Sequence, residues 1–232
     1  MITAALVLAA GRGERLHSPV PKAFVSVAGR TLLAHSLAAL AAAPEIALVV
    51  PVIAIADLER FAGFAPERSG IPKLAPAVPG GRERQDSVRA GLAALGPEVV
   101  LVAVHDAARP LVRPRDVSRV VQAAQRHGAA LLATPATDTI KRVRGGIVID
   151  TPLRAECWVA QTPQVFRVDV LREALATAAQ EGLLGTDDAQ LVERLGVAVH
   201  VVEGDPGNRK ITLPEDLPWA EERLRAALRE DA

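Results

Sequence analysis

Two uninterrupted apolar runs constrain the fold more than any other feature. Residues 4–10 read AALVLAA and residues 99–104 read VVLVAV. Neither leaves a polar side chain for a solvated face, so each predicts a strand covered on both faces, as in a parallel sheet. Between and after them come stretches of helical period. Residues 31–43 predict a helix with Pro44 past its end. Residues 84–95 predict another, stopped by Gly96 and Pro97. Residues 114–127 predict a third, with Pro114 in its first turn. Further strands are expected at 46–52, at 129–134 and, despite Pro76, at 73–78, with a short helix at 56–63. The alternation argues for an α/β sandwich with a mostly parallel sheet flanked by helices. Such sheets bind ligands beyond the carboxyl ends of their strands. The loops beginning at Gly11, Gly80 and His105 therefore share one edge.

The rhythm breaks at residues 136–154. A Gly145-Gly146 turn between residues 139–144 and 147–151 predicts a β-hairpin outside the sheet, an arm. Helices at 168–181 and 187–195, a strand at 198–202 and a last helix at 214–229 follow, with a frayed end at 230–232. A length of 232 residues fits one domain, 1–232, carrying that arm. Composition adds exclusions. Twenty-seven Lys and Arg balance 27 Asp and Glu, which argues against a nucleic acid as partner. The single cysteine, Cys157, excludes an internal disulfide and a multi-cysteine zinc site, and is expected to be a small buried residue. No apolar run reaches the ~18 residues that span a bilayer, and the chain enters strand pattern with no basic leader. A cytoplasmic protein without membrane partners is expected. Arg outnumbers Lys 23 to 4, yet Lys22, Lys141 and Lys210 all fall in the segments singled out here.

The first strand runs into Ala9-Ala10-Gly11-Arg12-Gly13-Glu14-Arg15-Leu16, and Pro21-Lys22 follows. Small residues let backbone N–H groups approach an anion closely. Arg15 and Lys22 add two positive charges, which suits a triphosphate. No G-x-x-x-x-G-K-[ST] string occurs, and the third glycine of a dinucleotide fingerprint is replaced by Leu16. This disfavours a dinucleotide-dependent oxidoreductase. The segment A-A-G-x-G-x-R with P-K resembles the opening of nucleotidyltransferases that join a sugar or polyol phosphate to a nucleotide.

Two more segments sharpen this. Gly80 and Gly81 allow a tight turn beside a planar base, and Ser87 offers a hydroxyl from the following helix. His105-Asp106-Ala107-Ala108-Arg109-Pro110 follows the strand at 99–104 directly. Asp106 suits Mg²⁺, which needs one or two carboxylates plus phosphate oxygens. An Asp in such a turn also occurs for purely local reasons. His105 reads as structural, because the chemistry needs no general base. GG-x-x-R-x-x-SV and HDAARP, in this order, are similar to the 2-C-methyl-D-erythritol 4-phosphate cytidylyltransferase family. The likeness continues through Asp138-Thr139-Ile140-Lys141, Arg154, Gln161-Thr162-Pro163-Gln164, Thr186-Asp187-Asp188-Ala189 and Asn208-Arg209-Lys210-Ile211-Thr212. Ala23 after Lys22 and Cys157 before Trp158 depart from the usual pattern without removing a charge.

The resemblance implies a Rossmann-like nucleotidyltransferase sandwich. The implied reaction transfers CMP from CTP to 2-C-methyl-D-erythritol 4-phosphate, in the non-mevalonate route to isoprenoids. Another polyol phosphate such as ribitol 5-phosphate is the alternative acceptor. Arg15 and Lys22 are implied to be catalytic. Ala9, Ala10, Gly11, Gly13, Gly80, Gly81 and Ser87 would hold the nucleotide, and Asp106 would hold Mg²⁺. Arg109, Thr139, Arg154, Thr162, Thr186 and Lys210 would bind and position the acceptor phosphate. A homodimer is implied, with arms exchanged and Thr139 and Arg154 acting in the neighbouring site. Thr186 equally fits a plain N-cap, Thr162 the end of a strand, and Lys141 with Arg142 a solvated face of the arm.

Overall fold

The computed structural model describes residues 1–64 and 70–230. The chain forms β1 (Ile2–Ala9), β2 (Ser26–Val27), β3 (Arg30–Thr31), α1 (Leu32–Ala42), β4 (Ile46–Ile53), α2 (Leu58–Gly63), β5 (Val78–Pro79) and α3 (Arg84–Ala93). It continues with β6 (Val99–Asp106), α4 (Pro114–His127), β7 (Ala129–Pro135), β8 (Arg142–Arg144), β9 (Ile147–Asp150) and β10 (Trp158–Arg167). Then come α5 (Val168–Gln180), α6 (Asp188–Arg194), β11 (His200–Glu203) and α7 (Asp216–Glu230).

Among the described residues the main sheet has the order β11-β7-β10-β6-β1-β4-β5. β1 runs parallel to both β4 and β6, and its apolar run is buried as expected. Helices cover both faces. Leu33 and Leu37 of α1 pack with Val117 and Val120 of α4 on one side. Val88 and Leu92 of α3 pack with Leu171 and Leu175 of α5 on the other. A smaller cluster joins Leu16 of the first loop to Ile211 and to Ala220 and Leu224 of α7. The helix punctuation holds: Thr31 caps α1 by accepting from the Ala34 N–H, and Pro114 opens α4.

Four expectations need correction. β10 enters the sequence reading only as a strand that Thr162 would end, yet it runs through Thr162 to Arg167, lies between β6 and β7 and is antiparallel to both. Its apolar pattern is interrupted by Gln161, Thr162, Pro163 and Gln164, and a proline argues against a central strand. The ladder with β7 shifts register between Ala160 and Gln164, and that irregularity accommodates the proline. The strand expected at 73–78 shrinks to Val78–Pro79 plus one bridge from Leu74 to Val49. α6 is capped by Asp187, which accepts from the Gln190 N–H, and not by Thr186. Cys157 is half-buried rather than buried. Of the frayed end, residues 231 and 232 lie outside the described residues.

The arm forms as expected. Gly145 and Gly146 have φ of +56° and +79°, the conformation a two-residue hairpin turn requires. Its residues are exposed, including Val143, Ile147, Val148 and Ile149.

Candidate active site

The carboxyl ends of β1 and β6 and the turn before α3 enclose a cleft. It is lined by the first loop, the Gly81–Arg84 turn, Ser87, Asp106 and Lys210. A wider mouth continues past Gly13, Arg15 and Gly80. Gly13 has φ +67°, and a Cβ there would collide with the side chain of Lys22. The glycine thus lets the loop turn left-handed and lie flat on the Lys22 stem. A Cβ on Gly80 would lie 2.5 Å from the Ala10 Cβ and 2.9 Å from Ser87 Oγ. The second loop packs on the first only because that carbon is missing. Ser87 Oγ accepts from the Gly81 N–H at 3.2 Å and shapes the turn from within.

Charge converges on Asp106. Lys210 Nζ donates to its Oδ2 at 2.7 Å, and Arg84 Nε lies 3.5 Å from its Oδ1. Burial raises the pKa of Asp106, but Arg84 and Lys210 outweigh burial and hold it well below the usual carboxylate range. Lys22 Nζ donates to the Ile211 carbonyl at 3.1 Å. Burial lowers the Lys22 pKa, and the nearby Lys210 lowers it further. Lys210 and Arg84 thus contact one carboxylate at the cleft floor, with Lys22 close enough to feel its charge and Arg15 at the mouth. Such a cluster is prepared for a polyanion.

Behind the cleft, Thr162 Oγ1 accepts from the Asp106 N–H at 3.1 Å and lies 3.0 Å from His105 Nδ1. His105 Nε2 is 3.2 Å from the Arg109 carbonyl. One neutral tautomer satisfies both contacts, with Nε2–H donating and Nδ1 accepting. Burial pushes the His105 pKa down to about 4. His105 is therefore a neutral brace, as its sequence context suggested.

The structure brings most of the sequence-derived set together and leaves some members apart. The first loop, Arg15, Lys22, Gly80, Gly81, Ser87, Asp106 and Lys210 border the cleft. Arg109 and Thr162 stand just behind it. Arg109 spends its guanidinium on the Asn208 and Ala160 carbonyls at 2.8 and 3.2 Å, and Thr162 is buried. Both brace the wall. Thr186 is exposed and bonds the Gln190 side chain. Thr139 and Arg154 lie on the exposed arm, where Arg154 Nη1 donates to the Thr137 carbonyl. None of these five lines the cleft of this chain.

Sequence reasoning missed the framework that sets this wall. Gln161 Nε2 donates to the Asp205 carbonyl, and its Oε1 accepts from Asn208 Nδ2. Gln164 Oε1 accepts from the N–H groups of Asp188 and Ala189, and its Nε2 donates to Asp187. Arg84 and Asp188 form a 2.7 Å ion pair. The available signal was a run of polar residues beside an apolar half-strand. Buried polar side chains are bonded to something, and here they hold three loops.

This fold, a glycine-rich loop without a Walker lysine and a cation cluster at the strand ends together define a nucleotidyltransferase. The family model for 2-C-methyl-D-erythritol 4-phosphate cytidylyltransferase matches residues 3–226. The protein of that name from Pelotomaculum thermopropionicum is 47% identical over 224 residues, 96% of this chain and 94% of that one. Its namesake from Geotalea uraniireducens is 44% identical over 97% of this chain and 98% of its own. The crystal structure of the protein of that name from Thermus thermophilus superposes with a TM-score of 0.77 at 39% identity, covering 97% of this chain and 100% of that one. The chain belongs to the 2-C-methyl-D-erythritol 4-phosphate cytidylyltransferase family.

Proposed function

We infer that the chain transfers the cytidylyl group of CTP to 2-C-methyl-D-erythritol 4-phosphate and releases pyrophosphate. Family membership supplies the substrates, and the Lys22, Lys210 and Arg84 cluster around Asp106 is the observation that carries the chemistry. An acceptor phosphate oxygen attacks the α-phosphorus. The bond from that phosphorus to the β-phosphate bridging oxygen breaks, and its electron pair leaves on pyrophosphate. The nucleophile is already ionised, so no side chain has to remove a proton. What remains is alignment of two polyanions and stabilisation of the charge between them. The first loop supplies backbone N–H groups, Arg15 and Lys22 face the α-phosphate and the leaving group, and Lys210 meets the acceptor phosphate. The low pKa of Asp106 keeps its charge, so Lys210 stays aimed across the cleft.

Asp106 also suits Mg²⁺. A carboxylate offers about four lone-pair sites, and Lys210 and Arg84 engage only part of them. Mg²⁺ held by Asp106 and nucleotide phosphate oxygens would screen the triphosphate charge.

We read the chain as one catalytic unit whose arm, residues 136–154, completes the site of a second copy. The arm exposes apolar side chains on both faces: Ile147 is 71% exposed and Val148 54%. An isolated hairpin is marginal in water, and exposed apolar patches of this kind mark interaction surfaces. A two-fold dimer buries two arms at once and brings Thr139 and Arg154 to a cleft that lacks them in its own chain. Among the described residues no helix is long and apolar enough to cross a membrane.

Incubation with CTP, Mg²⁺ and 2-C-methyl-D-erythritol 4-phosphate tests the reaction. Mass spectrometry is expected to show the cytidine diphosphate ester and pyrophosphate in equal amounts. CDP or CMP without that ester would contradict this function.

A further inference from the structure

Asp188 is completely buried. Burying a carboxylate is costly, and a buried pair is poor evidence for added stability. The local helix does not need it, since the neighbouring Asp187 caps α6 and receives Gln164 Nε2. Gln164 holds residue 188 through its backbone N–H, so the Asp188 side chain is not required for that anchor. One of its oxygens meets Arg84 at 2.7 Å, while the other, Oδ1, has no hydrogen-bond partner among the described residues. Arg84 in turn approaches Asp106 Oδ1, and Lys210 bonds Asp106 Oδ2. Charges alternate along this line: Asp188, Arg84, Asp106, Lys210. It runs from the interior to the half-exposed ammonium at the cleft.

We propose that Asp188 is a positioning residue: by holding Arg84 it fixes the orientation of Asp106, and thereby aims Lys210 at the phosphate of the acceptor. Without the Asp188 charge, Arg84 is free to take a larger share of Asp106 and draw it away from Lys210. The inference rests on the assignment of Lys210 to the acceptor phosphate given above.

The test uses the full chain and steady-state kinetics with both substrates for Asp188→Asn, Lys210→Ala and the double variant, with thermal midpoints alongside. Asp188→Asn keeps the shape and the Gln164 anchor. At saturating Mg²⁺ it is expected to raise KM for the acceptor about tenfold while leaving KM for CTP within about twofold, because the first loop, Arg15 and Lys22 hold the triphosphate. In the Lys210→Ala background the same change is expected to add little, because both act through one ammonium. A merely structural role would lower the thermal midpoint and affect both substrates alike, additively with Lys210→Ala, and that result would overturn the proposal. If Asp188→Asn does not fold, Asp188→Ser also removes the charge while leaving Arg84, Asp106 and the backbone anchor to Gln164 in place, and it carries the same expectation. An unchanged acceptor KM in Lys210→Ala alone would refute the Lys210 assignment. A large effect there with none in Asp188→Asn would refute the role of Asp188.

Discussion

One methyl group at position 13 is the smallest change that reaches the site. Gly13 touches no charge, yet its φ of +67° and its contact with the Lys22 stem leave no room for a Cβ. Gly13→Ala imposes about 1 kcal/mol of backbone strain and displaces Lys22, so kcat is expected to fall at least about tenfold while both cations remain. Initial rates at saturating substrates check this, and an unchanged kcat would contradict the packing argument. His105 makes a prediction of a different kind. Its pKa is near 6.5 in the unfolded chain and about 4 in the fold. Between those values the unfolded chain binds a proton that the native one refuses. The contribution is fully present above pH 6.5 and is lost as pH falls toward 4, by up to about 3 kcal/mol. Urea unfolding of wild type and His105→Gln across this range is expected to show the wild type losing more stability on acidification. Parallel curves would mean that His105 is not held neutral.

At the scale of elements, β10 and the arm differ in how far the sequence exposes them. The arm is legible because a Gly-Gly turn between β-branched residues has few other uses. β10 is not, because its polar centre serves loops rather than the sheet. Gln161 ties down the 205–208 turn, Thr162 the end of β6, and Gln164 the start of α6. Side chains that answer distant backbone groups leave no periodic trace. The arm carries the prediction at this scale. Lys22→Ala and Arg154→Ala are each expected to inactivate the enzyme. Mixed and re-associated, they are expected to recover part of the activity, since a heterodimer holds one site with both Lys22 and a partner's Arg154. No recovery in a mixture shown to contain heterodimer would refute action across the interface.

For the whole molecule, strand order and loop placement follow from a few apolar runs. Every parallel strand of the buried sheet delivers its following loop to the same edge, so Gly11, Gly80 and Asp106 meet there although they are far apart in sequence. That much was legible. What was not legible is which polar residues face the ligand and which brace the wall, because identical side chains serve both ends. Arg109 bonds two carbonyls, whereas Arg84, the arginine of the GG-x-x-R-x-x-SV motif to which the sequence assigned no role, approaches Asp106. The central claim, however, concerns the pairing of one nucleotide with one acceptor in a cleft built for two phosphates. Its most direct test is the initial rate of pyrophosphate release with each of the four nucleoside triphosphates, offered with 2-C-methyl-D-erythritol 4-phosphate or ribitol 5-phosphate, at fixed Mg²⁺. The account predicts rapid release only with CTP and the methylerythritol phosphate. Equal or faster release with ribitol 5-phosphate, or with another base, would contradict it.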